Sequence, residues 1–178
     1  GRLYEINLDG TGLRQLTDDK LYCDREPAYL PNGDIVFNST RCVQTVDCWW
    51  TEVSNLYTCD ADGRLLRRLS FDQVHTNYPT VTPDGRVIYT RWEYTDKPLW
   101  RAQALWTVRP DGTQVNTFWG NQSVWPDHLA EPRSIPGSGR VMFTGVGHHN
   151  WFIGSIGIVD PRKGSNYPHG LTRVTWDL

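Results

Sequence analysis

The sequence predicts an all-β protein, a β-propeller of four-stranded antiparallel blades, of which about three and a half are present. Composition supports this fold class, because the 178 residues include 16 Gly, 11 Pro and 9 Trp, as is typical of short strands joined by tight turns. A repeated strand-turn-strand pattern supports it as well. No segment shows the apolar spacing of a helix.

One repeat consists of an apolar strand, a turn and a second short strand. Its four copies span residues 3–17, 56–70, 105–119 and 156–175, and successive copies begin 53, 49 and 51 residues apart. Asp-Gly pairs at 62–63 and 111–112 supply the positive φ angles that tight hairpin turns require. The fourth copy is less regular, so we expect an irregular end to the last blade.

A second repeat alternates with the first and contains a proline-bearing hairpin. Its copies cover residues 26–40, 78–92 and 131–145, and they align on Pro27, Pro79 and Pro132 at offsets of 52 and 53 residues. Each period therefore holds four strands, which is one propeller blade. The predicted units are a blade end at 3–17 followed by blades at 24–70, 75–119 and 128–175.

The strings DREPAYLPNGDIVFNSTR and NLYTCDADGRLLRRLS resemble the TolB-type, WD40-like (PD40) propeller repeat. The match departs from the family pattern at Asn32, which replaces Asp, and at residues 136–139, which replace the Pro-Asp-Gly turn. TolB-type propellers have six blades, so the resemblance implies that this chain is roughly half of a ring.

A cysteine- and tryptophan-rich insertion, RCVQTVDCWW at residues 41–50, resembles the propeller domain of hydrazine synthase alpha-like proteins. In those large secreted proteins a propeller sits beside cytochrome-like domains. The chain contains no Cys-x-x-Cys-His motif, so the resemblance carries over no haem attachment.

Half a propeller leaves strand edges and an apolar blade face without partners, which favours association. We expect the remaining blades to come from the same parent protein, from another chain or from a second copy. The first strand pattern begins at residue 3, inside a blade, which favours a fragment of a longer protein.

The long loops, at 40–55, 92–104 and 145–153, all fall on one rim of the predicted propeller, where binding sites usually lie. Their exposed aromatic and polar side chains are candidates for contact with a protein or ligand, although packing over the blades is the alternative. These candidates are Trp49, Trp50, Trp92, Trp100, Asn150 and Trp151.

Cys23, His75 and His128 stand four residues before the aligned prolines of three successive blades. The first strand of a propeller blade lines the central channel, so we expect these side chains to converge at its mouth, near His148 and His149. Cys and His are ligands of transition metals, which makes a divalent metal site one interpretation. Ordinary surface or hydrogen-bonding roles are the other.

Charged residues precede the same strands, namely Asp24, Arg25, Glu26 and Glu131. They predict either a polar channel mouth that binds a cation or peptide, or hydrogen bonds of Asp24 and Arg25 that tie adjacent blades together. We favour the second role for Asp24 and Arg25, because the repeat family itself carries an acid at this position.

Four cysteines favour an oxidising, extracytoplasmic compartment, periplasmic or secreted. Cys42 and Cys48 flank a five-residue loop, and we expect them to form a disulfide. A metal-binding loop or free thiols are the alternatives.

No catalytic motif for a serine hydrolase, zinc peptidase or phosphate-binding enzyme is present. The leading hypothesis is a non-catalytic binding or scaffold module with a protein partner. Alternatives are a metal-dependent, lyase-like site acting on polysaccharide, and a self-associating half propeller. The balanced charge of −2 argues against nucleic-acid binding, and the absence of long apolar runs argues against a membrane span.

Overall fold

The computed structural model describes residues 1–48, 50–95 and 102–175. These residues contain 16 strands and two short 3-10 helices, Thr40–Cys42 and Pro161–Lys163. The strands in chain order are β1 (Tyr4–Glu5), β2 (Arg14–Gln15), β3 (Asp24–Tyr29), β4 (Ile35–Ser39), β5 (Thr45–Val46), β6 (Thr51–Glu52), β7 (Asn55–Cys59), β8 (Arg67–Arg68), β9 (Thr76–Val81), β10 (Val87–Trp92), β11 (Gln103–Val108), β12 (Asn116–Trp119), β13 (His128–Ser134), β14 (Val141–Gly147), β15 (Asn150–Val159) and β16 (Leu171–Arg173).

The strands form three antiparallel four-stranded meanders and one two-stranded end. Blade I contains β3, β4, β7 and β8, blade II contains β9 to β12, and blade III contains β13 to β16. The end strands β1 and β2 pair with each other, and β5 pairs with β6 in a small hairpin inserted into blade I. One parallel bridge, Gln103 to His128, joins blades II and III. The prediction of an all-β partial propeller is confirmed.

Hydrophobic cores lie between the blades, because facing sheets bury their apolar side chains against each other. Between blades I and II the core contains Leu30, Val36, Leu56, Leu69, Val87, Tyr89 and Val108. Between blades II and III it contains Ile88, Leu105, Trp119, Leu129, Val141, Phe143 and Val159. The end strands cover the outer face of blade I over a core of Leu3, Ile35, Phe37, Tyr57 and Cys59.

The outer face of blade III differs from the faces before it. Val36 and Ile88 occupy equivalent positions in blades I and II and are each 0% exposed, whereas the equivalent Met142 is 40% exposed. Ile156 is likewise 38% exposed, although its counterparts in the first repeat lie in the cores. Among the described residues no further blade covers this face, so the structure is a partial propeller.

A repeated hydrogen bond explains the hydroxyl residue that ends three of the four copies of the first repeat. The backbone N–H at the repeat start donates to that hydroxyl in three copies: Leu3 to Thr17 at 3.0 Å, Leu56 to Ser70 at 3.0 Å and Ile156 to Thr175 at 2.8 Å. Because the N–H would otherwise lie at a sheet edge, the hydroxyl completes its hydrogen bonding.

The first strand of every blade contains a β-bulge at the residue before the aligned proline. Glu26, Tyr78 and Glu131 have φ angles of 57°, 55° and 51°, in the left-handed region. The pairing register shifts at or beside the same points. A bulge places an extra residue on one strand and redirects the side chains of that strand. In this chain the redirected side chains belong to the first strand of each blade.

Among the described residues there is no helix of the length and hydropathy that a bilayer crossing requires.

Candidate functional site

A cleft of about 490 Å³ opens where the three blades meet the insertion. Several residues singled out in the sequence line it: Cys23, Arg25, Glu26, Cys48, His75, Trp92, His128, His148 and His149. The register of the aligned prolines predicts that Cys23, His75 and His128 converge, and the structure places all three around this cleft. Whether they bind a metal stays a prediction.

Cys23, His75 and His128 lie near one another because each stands at the start of the first strand of its blade. Cys23 directly precedes β3, His75 directly precedes β9, and His128 begins β13. The His75 ring stacks on Trp92 with the ring centres 6.0 Å apart and the planes 4° from parallel. The His128 ring stacks on Tyr78, also at 6.0 Å. Aromatic contacts therefore hold both imidazoles against the cleft walls.

Burial controls the charge of these two histidines. Desolvation lowers the pKa of His75 to about 4, and the nearby Arg25 cation lowers it further in the same direction. Burial also lowers the pKa of His128 to about 4, with a smaller contribution from His148. Both rings are therefore neutral at pH 7 and can accept a hydrogen bond or donate a lone pair to a metal.

A tighter cluster of Cys48, His148 and His149 lies at one side of the cleft. Each residue offers one ligand atom, and these atoms lie within 4.8 Å of one another. Cys48 Sγ is 3.7 Å from His149 Nε2, and the rings of His148 and His149 are 4.3 Å apart in an edge-on arrangement. The two histidines occupy the turn between β14 and β15, so neighbouring side chains can face the same way.

The predicted disulfide between Cys42 and Cys48 is not formed, and all four cysteines are free. The hairpin of β5 and β6 separates the two thiols, because Cys42 precedes it and Cys48 lies in its turn. The Cys42 thiol donates to the carbonyl of Val53 at 3.1 Å. Burial raises the pKa of Cys42 and raises that of Cys59 to about 11, so both favour the protonated thiol.

Glu26 connects blades I and II at the edge of the cleft. Its Oε2 accepts from Asn38 Nδ2 at 2.6 Å within blade I and from the backbone N–H of Tyr78 at 2.7 Å in blade II. Asn38 Oδ1 in turn accepts from Thr76 Oγ1 at 2.8 Å. The carboxylate therefore satisfies the backbone N–H of the strained bulge residue in the next blade.

Asp24 and Arg25 make different contacts from those expected. Buried Asp24 forms an ion pair with Arg41, and Arg25 donates to Ser54 Oγ at 3.0 Å. All of these residues belong to blade I, so the side-chain link between blades predicted for Asp24 and Arg25 is made by Glu26 instead.

Comparison with known proteins supports the fold. The sequence matches no family model, and a search of curated proteins finds no match. Among solved structures, the hydrazine synthase of Kuenenia stuttgartiensis superposes with a TM-score of 0.82 over 99% of this chain at 17% identity. The TolB of Acinetobacter baumannii gives 0.67 over 98% at 15% identity. A chain described as a TolB of Agrobacterium tumefaciens gives 0.70 over 98% at 15% identity.

The chain has a TolB-like propeller fold. It spans 56% of the Agrobacterium chain, 37% of the Acinetobacter chain and 30% of the hydrazine synthase chain. This TolB-like propeller is therefore shorter than each of the matched chains, in agreement with the uncovered face of blade III.

The remaining predicted residues of the TolB-like propeller lie outside the cleft or outside the described residues. Trp50, 78% exposed, and the exposed Asn150 and Glu131 lie on the surface. Trp49, Trp100 and the side chain of Trp151 lie outside the described residues. The binding role of these residues stays a prediction.

Six residues of the cleft wall were not predicted from the sequence, namely Thr40, Thr51, Glu52, Asn77, Tyr78 and Gln103. Tyr78 had a signal in the repeat, because it occupies the same register position as Glu26 and Glu131. Gln103 had none, since only the folded chain brings its amide within 3.4 Å of His148 Nδ1.

Proposed function

We propose that this chain is a non-catalytic binding module whose cleft receives an extended peptide segment of a partner protein. The observation that carries the proposal is the cleft itself, which all three blades and the β5–β6 hairpin build together. Long loops on one rim of a rigid scaffold are a common arrangement for recognition.

The chemistry of the cleft suits a peptide. Aromatic rings of Tyr78 and Trp92 supply apolar contact area, while neutral imidazoles can exchange hydrogen bonds with backbone amides. Arg25 and Glu52 are exposed and line the cleft with opposite charges. Opposite charges at the rim speed association with a segment of complementary charge and fix its orientation.

We further propose that additional blades of a longer protein cover Met142 and Ile156, since the equivalent positions of blades I and II are covered by the following blade. An extracytoplasmic location belongs to the same proposal, and it rests on the resemblance of the repeat and on the cysteine content.

A displayed random-peptide library tests the binding role. Peptides enriched on the wild-type chain are expected to lose affinity about tenfold with Arg25→Ala and with Glu52→Ala. Arg67→Ala is the matched control, because Arg67 is exposed and donates to the carbonyl of Pro110 on the opposite rim. Failure to enrich any peptide contradicts the proposal, and so does binding that only Arg67→Ala weakens.

A further inference from the structure

We propose that Cys48, His148 and His149 form a zinc-binding site. This set differs from the metal ligands expected from the repeat register. It contains Cys48 and leaves out Cys23, His75 and His128. One thiol and two imidazoles give three protein ligands within 4.8 Å of one another. Zinc sites with three protein ligands keep a fourth position for water or substrate.

The geometry agrees with zinc. Zinc–sulfur bonds of about 2.3 Å and zinc–nitrogen bonds of about 2.0 Å at tetrahedral angles place the two ligand atoms about 3.6 Å apart. Cys48 Sγ and His149 Nε2 are 3.7 Å apart. Their separation therefore needs almost no adjustment to hold the ion.

Ligand type excludes the harder cations. Calcium and magnesium take oxygen ligands, whereas a thiolate with imidazoles suits zinc. The thiolate is the form that binds metal, so the Cys48 S–H bond breaks, sulfur keeps the electron pair for the ion, and the proton passes to solvent.

Neighbouring groups hold the ligands in place. The amide of Gln103 lies 3.4 Å from His148 Nδ1, and the Trp92 ring meets the His148 ring edge-on at 5.1 Å. On the other side, Thr51 Oγ1 donates to the Cys48 carbonyl at 3.0 Å within the hairpin turn. Contacts of this kind orient metal ligands and raise affinity.

The site joins distant parts of the chain, because Cys48 and His149 are 101 residues apart. Bound zinc would tie the β5–β6 hairpin of blade I to the β14–β15 turn of blade III, across the mouth of the cleft. The inference goes beyond the proposed binding role, because zinc capture needs no peptide and either proposal can fail alone.

The test is metal titration of the chain after chelator treatment. We expect one equivalent of Zn²⁺ by calorimetry, and Co²⁺ as a probe should give a thiolate-to-cobalt absorption band. Cys48→Ser should abolish this band, and both Cys48→Ser and His149→Ala should weaken Zn²⁺ binding at least about a hundredfold. Cys23→Ser is the matched control, because Cys23 lines the same cleft yet lies outside the cluster.

Circular dichroism of the metal-free variants separates loss of a ligand from loss of the fold. A variant that melts at the wild-type temperature but no longer binds Zn²⁺ supports the site. The proposal is overturned if the wild type binds less than a tenth of an equivalent, if Cys48→Ser binds as tightly as wild type, or if Cys23→Ser is the variant that removes the cobalt band. A variant that melts early is replaced by Cys48→Ala, judged by the same criteria.

Discussion

Replacing Glu26 with Ala removes a carboxylate that two blades share. Its Oε2 accepts from Asn38 Nδ2 at 2.6 Å and from the backbone N–H of Tyr78 at 2.7 Å. Hydrogen bonds to a charged group contribute about 1.5–3 kcal/mol each. Glu26 is only partly buried, so the lower end of that range applies to both bonds, and Glu26→Ala should lower the free energy of unfolding by about 3 kcal/mol.

Glu131→Ala is the matched control. Glu131 follows the same pattern in blade III, with a φ of 51° and a proline after it, but its side chain is exposed. We expect a change within about 0.5 kcal/mol for this variant. Glu26→Gln keeps an acceptor oxygen without the charge and should fall between the two.

Urea unfolding followed by tryptophan fluorescence measures all three variants under one set of conditions. Equal destabilisation by Glu26→Ala and Glu131→Ala would refute the reasoning, because the loss would then come from the bulge position and not from the shared carboxylate. An unchanged denaturant slope is needed for the comparison, since it shows that the same surface is exposed on unfolding.

Three further predictions concern packing, pH and association. Gly63→Ala should lower the free energy of unfolding by about 3 kcal/mol, because a Cβ there would lie 2.0 Å from the carbonyl oxygen of Leu16. Gly33→Ala is the control and should cost about 1 kcal/mol in the same urea assay, because Gly33 also has a positive φ but a Cβ there would meet no atom within 4 Å. Burial lowers the folded pKa of both His75 and His128 to about 4, below the ordinary 6.5, so each should cost up to about 3 kcal/mol of stability as pH drops from about 6.5 to 4. His75→Phe should therefore remove about half of the slope in unfolding curves taken across that range. The isolated chain should self-associate in sedimentation velocity through the uncovered face of blade III. Ile156→Thr, on that face, should weaken the association about tenfold. Unaltered association of this variant would place the contact elsewhere.

The fold could be predicted because the same strand and turn pattern recurs in every blade, so each copy confirms the strand positions of the others. Pro27, Pro79 and Pro132 fix the register of the first strands, and that register alone places Cys23 and His75 near one another. No side-chain detail is needed for this placement, since equivalent positions of successive blades face the same side of the propeller.

The proposed zinc ligand Cys48 could not be predicted in the same way. It lies in an insertion that has no counterpart in the other blades, so no alignment gives its direction. Its spacing from Cys42 suggested a disulfide, but the hairpin of β5 and β6 turns Cys48 towards His149. The link made by Glu26 was also missed, because a 52-residue separation says that Glu26 and Tyr78 are equivalent and not that they touch.

The bulges suggest why the cleft forms where it does. The three bulge residues, none of them glycine, hold φ angles between 51° and 57°, a conformation that costs about 1 kcal/mol for each side chain. Glycine would remove the strain, but it would also remove the carboxylate of Glu26 and the ring of Tyr78, which bind the neighbouring blade and stack on His128. The repeat thus keeps one backbone shape in each blade while the side chain there differs. In blades I and II the bulge is therefore the position at which the blade presents its own side chain, Glu26 or Tyr78, to the cleft.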